Sequence, residues 1–148
     1  MQAIVRELGE RDLPDLLALY EHLHAQDTPL PAEEMVAEIW RTLMADPRQI
    51  YIGACFGERL VSACNAVIVP NLTRGARPYA LVENVVTDRE YRRRGLARRT
   101  LQALMDECWV RGCYKIMLMS NTRRTEAHAF YEALGFDAGA KKAFVARK

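Results

Sequence analysis

The stretch Val85-Val86-Thr87-Asp88-Arg89-Glu90-Tyr91-Arg92-Arg93-Arg94-Gly95-Leu96-Ala97 decides how this chain is read. Before it, the run from Tyr79 to Thr87 is apolar enough for a strand. After it, Ala97, Leu101, Leu104 and Cys108 share one helical face, while Arg98, Arg99, Gln102 and Asp106 fall outside it. A helix is therefore predicted from about Gly95 to Arg111, with Gly112 as its C-terminal stop. A strand running through a basic turn into a helix makes an anion site. The first helical N–H groups lack intrahelical partners, and the macrodipole adds positive charge where they point. A pyrophosphate can accept several of them at once. Gly95 and the small Ala97 let phosphate oxygens approach the backbone, and Arg92 and its neighbours supply cations. Net charge is only +2 over 148 residues, yet Arg89, Arg92, Arg93, Arg94, Arg98 and Arg99 fall within the eleven residues from 89 to 99. The local potential matters here, and the total does not.

Working outward, Ile4 and Val5 suggest a short first strand, and Asp12 before Pro14 starts a helix reaching about Gln26. Its apolar face is Leu13, Leu16, Leu17, Tyr20 and Leu23. A second helix, from about Ala32 to Ala45, aligns Met35, Ile39 and Leu43 on one stripe before Asp46-Pro47 ends it. Strands follow at about 50–56 and 60–69, joined through Gly57-Glu58-Arg59 as a hairpin. The loop 70–78 leads into the strand at Tyr79. Beyond the long helix, Lys115 to Ser120 reads as a strand and Thr125 to Leu134 as a helix closed by Gly135. Phe136 and the run Ala143 to Val145 read as final strands. With no repeat, low-complexity tract or linker, residues 1–148 are expected to form a single α/β domain.

Composition narrows the classes. Half of the residues are hydrophobic and 27% are charged, which suits one packed core. No run approaches a membrane span, and Arg6, Glu7, Glu10, Arg11 and Asp12 interrupt any signal-peptide core, so a cytoplasmic protein without membrane contact is expected. Cys55, Cys64, Cys108 and Cys113 show no Cys-x-x-Cys pairing and no histidines at zinc spacing, so they read as reduced, buried thiols, and no metal is expected. His22 and His24, two apart in a helix, face different ways. The basic run could bind nucleic acid, but no aromatic-interleaved stripe accompanies it, and nucleic acid is not expected as a partner.

Arg92, Gly95 and Ala97 match the pattern Gln/Arg-x-x-Gly-x-Gly/Ala. Together with Asn121 after the next strand and the run Ala129-Phe130-Tyr131-Glu132-Ala133-Leu134-Gly135-Phe136, they make the chain resemble the GNAT superfamily of N-acetyltransferases over nearly its whole length. That resemblance implies a mixed, mostly antiparallel α/β (α+β) sheet of six to seven strands flanked by about four helices, with a splay between the two central strands. It also implies acetyl-CoA as co-substrate. The main chain of Val85 and Val86 would bond the pantetheine arm, amides from Arg93 through Arg94, Gly95 and Leu96 to Ala97 would hold the pyrophosphate, and Asn121 would bond the pantetheine. Tyr131 would lie near the thioester sulfur. A homodimer is a further family-level expectation. Gly112-Cys113-Tyr114-Lys115-Ile116 and Val82-Glu83-Asn84-Val85-Val86 are locally similar to glucosamine-phosphate N-acetyltransferases.

Direct acetyl transfer poses two proton problems. An alkylammonium must lose a proton before it attacks, and Glu83 is the candidate base. The departing thiolate gains from an acid, and the Tyr131 phenol is protonated at neutral pH. Each residue also has a plainer role: Tyr131 as a core aromatic, Glu83 in a structural bond, Asn121 as a cap. The expected acceptor is a small polar amine, whose anionic group, if present, Arg74, Arg77 or Lys142 could meet. A non-catalytic acyl-CoA sensor and a protein or peptide N-acetyltransferase are the rival readings.

Overall fold

In the computed structural model, which describes residues 1–148, the apolar runs pair into one five-stranded sheet of order β1-β2-β3-β4-β5. The strands are β1 (Ile4–Glu7), β2 (Gln49–Phe56), β3 (Arg59–Val69), β4 (Tyr79–Thr87) and β5 (Ile116–Leu118). β1 to β4 are antiparallel neighbours. At β5 the Tyr114 N–H donates to the Pro78 carbonyl and the Ala80 N–H to that of Lys115, so both segments are climbed in the same sense, as in a parallel pair. The helices are α1 (Leu13–Tyr20), α2 (Glu33–Ala45), the single turn α3 (Thr73–Ala76), α4 (Leu96–Val110) and α5 (Thr125–Ala133). The chain divides into two compact units, Met1–Met117 and Leu118–Lys148.

Alternation along the strands sends neighbouring residues to opposite faces of the sheet. On one face Cys55, Leu60, Ala63 and Val86 pack with Leu16 and Leu19 of α1 and Trp40 of α2. On the other, Ala54 and Val61 pack with Leu96 at the start of α4. The inner side of α4 is sealed: Leu101, Leu104 and Cys108 are fully buried. Burying a leucine of this kind contributes about 1.5–3 kcal/mol, so α4 is fixed by its apolar stripe and its N-terminus is positioned by core packing.

The β3–β4 ladder carries a bulge. Ala63 pairs with Val86 and Asn65 with Glu83, so Cys64 alone stands opposite both Asn84 and Val85. Asn84 takes a left-handed backbone conformation (φ 52°), which asparagine tolerates better than most residues. The extra residue matters for direction. Glu83 and Val86 are three apart and would face opposite sides of a regular strand; the bulge brings them to the face occupied by α1.

Several expectations are corrected. The sheet has five strands where six to seven were expected, because neither Phe136 nor Ala143–Val145 is extended into a strand. Those runs are too short to hold a strand without a partner edge, and the backbone after Phe136 instead turns onto the Asp137 carboxylate, which accepts from the Gly139 N–H at 2.9 Å. β5 is therefore the edge of the sheet. α1 stops at Tyr20 rather than Gln26, since beyond it the N–H groups of Glu21, His22 and Leu23 bond three residues back, tightening the chain into turns. In α2, Met35 and Ile39 are exposed, and Trp40 is the buried anchor. Its indole Nε1 donates to the Glu10 carbonyl at 3.1 Å and its ring meets Tyr51 edge-on. All four cysteines are free and buried. Burial pushes every one of these thiols up, Cys108 to about 12, which disfavours the thiolate a nucleophile needs. No helix is long and apolar enough to cross a membrane.

Candidate active site

The turn between β4 and α4 is built from its own polar groups. The Asp88 N–H donates to the Val61 carbonyl at 2.9 Å, carrying the β3–β4 ladder one step past the strand. The Asp88 carboxylate then accepts from the Glu90 N–H at 2.9 Å, capping a 3-10 turn over Arg89–Tyr91. Arg59 reaches the same carboxylate at 2.7 Å, and His22 lies 3.9 Å away. Burial works against this carboxylate, but the Glu90 N–H and the Arg59 guanidinium outweigh it and hold Asp88 below the usual carboxylate range.

The arginines of the turn divide by task. Arg92 Nε donates to the Thr87 carbonyl at 3.2 Å, and Arg94 Nη2 donates to that of Glu90 at 3.2 Å. Arg94 and Arg59 both lie against the Tyr91 ring, at 5.0 and 5.3 Å from its centroid. These side chains brace the turn. Arg93 forms none of these bonds, is exposed, and has a left-handed backbone (φ 61°). Gly95, also left-handed (φ 72°), opens α4 without a side-chain cap, and the first turn contains no acidic residue. A Cβ built on Gly95 would meet nothing within 4 Å. The start of this fifteen-residue helix thus has no side-chain cap, and the space beside Gly95 is open. Two left-handed residues so close together form a concavity of backbone N–H groups suited to anions.

Glu83 is exposed, on the α1 face of β4 and opposite Asn65. Val85 is partly exposed and Val86 buried, and the Val86 carbonyl accepts from Ser62 Oγ at 3.2 Å. Ser62 Oγ also pairs with Thr87 Oγ1 at 2.9 Å, pinning the end of β4. Pro78 and Ala80 lie level with Tyr114 and Lys115, so three-residue β5 ends before the level of Val85 and Val86. Arg77 is spent on the Arg74 carbonyl, at 2.8 Å, and on the Tyr114 ring.

Asn121 and Tyr131 belong to the unit Leu118–Lys148. Asn121 Oδ1 accepts from the Arg123 N–H at 3.0 Å and its carbonyl bonds His128 Nε2 at 2.9 Å, so it organises the turn ahead of α5 and keeps Nδ2 as a donor. Tyr131 is buried between Phe130 and Phe136, whose ring centroids lie 5.3 and 6.1 Å from its own. Lys142 sits over Phe144.

Sequence reasoning missed Asp88 as the hub of the turn, although an aspartate two residues before Glu90 at a strand end is a capping signal. It also missed Asn65, whose signal is a lone amide inside the apolar run 60–69. Asn84 was visible only as part of a motif.

A mixed sheet with a bulged fourth strand feeds, through an arginine-lined turn, a helix start without a side-chain cap, an arrangement suited to a phosphorylated anion. The sequence pattern of the Acetyltransferase (GNAT) family matches residues 16–136. The chain is 33% identical over 136 residues to the glucosamine 6-phosphate N-acetyltransferase of Trypanosoma brucei brucei, covering 90% of this chain and 88% of that protein. Among solved structures, a candidate acetyltransferase from Agrobacterium tumefaciens str. C58 superposes with a TM-score of 0.91 at 36% identity, over 98% of this chain and 99% of that one. An acetyltransferase of Trypanosoma brucei superposes with a TM-score of 0.79 at 29% identity, again over 98% and 99%. The chain belongs to the GNAT family of acetyltransferases and is an acyl-CoA-dependent N-acetyltransferase.

Proposed function

We propose that this enzyme moves the acetyl group of acetyl-CoA onto the primary amine of a small polar acceptor, by direct attack through a tetrahedral adduct. The observation that carries the co-substrate's placement is the start of α4: uncapped, free of acidic residues in its first turn, and open above Gly95. Backbone amides from Arg93 to Ala97 would hold the pyrophosphate, with Arg92, Arg93 and Arg94 supplying positive potential. The pantetheine arm would run along the main chain of Val85 and Val86 and meet Asn121.

Exposed Glu83 takes a proton from the bound ammonium, directly or through water. The neutral amine then attacks the thioester carbon. Backbone N–H groups near Val85 and Val86 stabilise the oxyanion, a contribution of several kcal/mol in a preorganised site. As the adduct collapses, the C–S bond breaks, the nitrogen releases its second proton to solvent to leave the neutral amide, and the thiolate takes a proton from Tyr131, which regains one from solvent. Holding both reactants at the end of β4 removes the entropic cost of their encounter.

Amino sugars are the first acceptors to test, because the relative from Trypanosoma brucei brucei is a glucosamine 6-phosphate N-acetyltransferase. A thiol-release assay across amino sugars and their phosphates, aminoglycosides, polyamines, amino acids and peptides with free N-termini provides the test. Turnover on a small amine is the expected result; turnover confined to peptides or protein lysines would overturn the acceptor assignment. Acetyl-CoA binding with no turnover on any amine would make the protein a sensor.

A further inference from the structure

Asn65 is 8% exposed and, with Ser62, one of two polar residues in the buried middle of β3. Its cross-strand partner is Glu83, so their side chains leave the same face of the sheet, with Cβ atoms about 5 Å apart. Asn84 Nδ2 donates to Asn65 Oδ1 at 3.2 Å. That bond fixes the orientation of the Asn65 amide: its oxygen is taken by Asn84, and its Nδ2 hydrogens point away, donating to no protein atom. A buried amide donor without an acceptor is costly, and native proteins seldom leave one unpaired unless water or a ligand completes it. Asn65 keeps a sliver of exposed surface, so such a group can reach it.

We propose that Asn65, oriented by Asn84 and standing opposite Glu83, is an acceptor-recognition residue that donates through Nδ2 to a hydroxyl on a carbon next to the reacting amine. This inference rests on the reading of Glu83 as the group beside that amine. Side chains that rise from paired positions on one face can converge on two neighbouring groups of one acceptor. The acceptor class that follows is the vicinal amino alcohol, to which amino sugars belong.

The test compares glucosamine 6-phosphate with its 1-deoxy and 3-deoxy counterparts, each lacking one hydroxyl beside the amine. Asn65→Ala should lower kcat/KM for the parent about 5–10-fold, mainly through KM, as expected for one lost hydrogen bond. For one of the two deoxy substrates the variant and wild type should differ little. Asn65→Asp, which keeps the shape and still accepts from Asn84 but cannot donate, should repeat that pattern if the alanine variant folds poorly. An equal loss on all three substrates, or none, would overturn the recognition role while leaving the proposed function standing. Failure of the wild-type enzyme to acetylate any of the three would remove amino sugars as acceptors and the inference with them.

Discussion

The guanidinium of Arg59, at the start of β3, lies 2.7 Å from the carboxylate of Asp88, at the end of β4. This contact ties the β2–β3 hairpin to the turn that precedes α4. Asp88→Ala removes it together with the cap on the Glu90 N–H, and loss of such a cap alone costs about 1 kcal/mol. The variant should melt several degrees lower and bind acetyl-CoA more weakly. Wild-type values for both, by calorimetry, would show that the turn holds itself without Asp88.

Acid should loosen the first unit through two carboxylates. The Arg6 side chain, opposed by burial and helped by the Gly9 N–H, holds Asp12 below its ordinary value, and Asp88 is lowered as well. A carboxylate lowered in the folded state contributes stability that is complete above its unfolded value, about 3.9, and lost as pH falls through the folded one. Thermal stability should therefore drop below about pH 4. Asp12→Asn with Asp88→Asn should flatten that limb; a limb of unchanged slope would assign acid lability to other groups.

Gly95→Val should weaken acetyl-CoA binding at least about tenfold, because a branched side chain would cover the amides of α4 and is disfavoured at positive φ. The fold itself should survive, since nothing lies within 4 Å of the added Cβ. Calorimetric titration reads the affinity. An unaltered value in a folded variant would move the pyrophosphate elsewhere.

Tyr131→Phe keeps the ring between Phe130 and Phe136 and removes only the hydroxyl. Turnover should fall about 10²-fold with acetyl-CoA binding nearly intact, as for a lost general acid. Equal rates would reduce Tyr131 to a packing residue.

Glu83→Gln should lower kcat/KM and change its dependence on pH by removing the ionisation of the base from the acid limb. Superimposable profiles for the two proteins would point to another proton acceptor.

Much of the architecture was legible because local chemistry dictates it. The spacing of Leu101, Leu104 and Cys108 forces one face of α4 inward, and Gly57 at φ 60° makes the turn of the β2–β3 hairpin. The strand Tyr79–Thr87 was read with its observed bounds, since apolar continuity and the basic turn mark both ends. What could not be read depends on distant partners. Ala143–Val145 has strand-like residues but forms no strand. Met35 and Ile39 lie on a helical stripe, yet the larger Trp40, with an acceptor waiting at Glu10, took the buried side.

By itself the sequence determined that a strand passes through four clustered arginines into a glycine-opened helix, because propensity, charge and capping act over a few residues. Only the tertiary structure decided which arginines brace the turn and which stay exposed. It alone set Asn65 opposite Glu83. That register depends on a bulge at Asn84, and one added residue in one strand reverses the facing of everything beyond it.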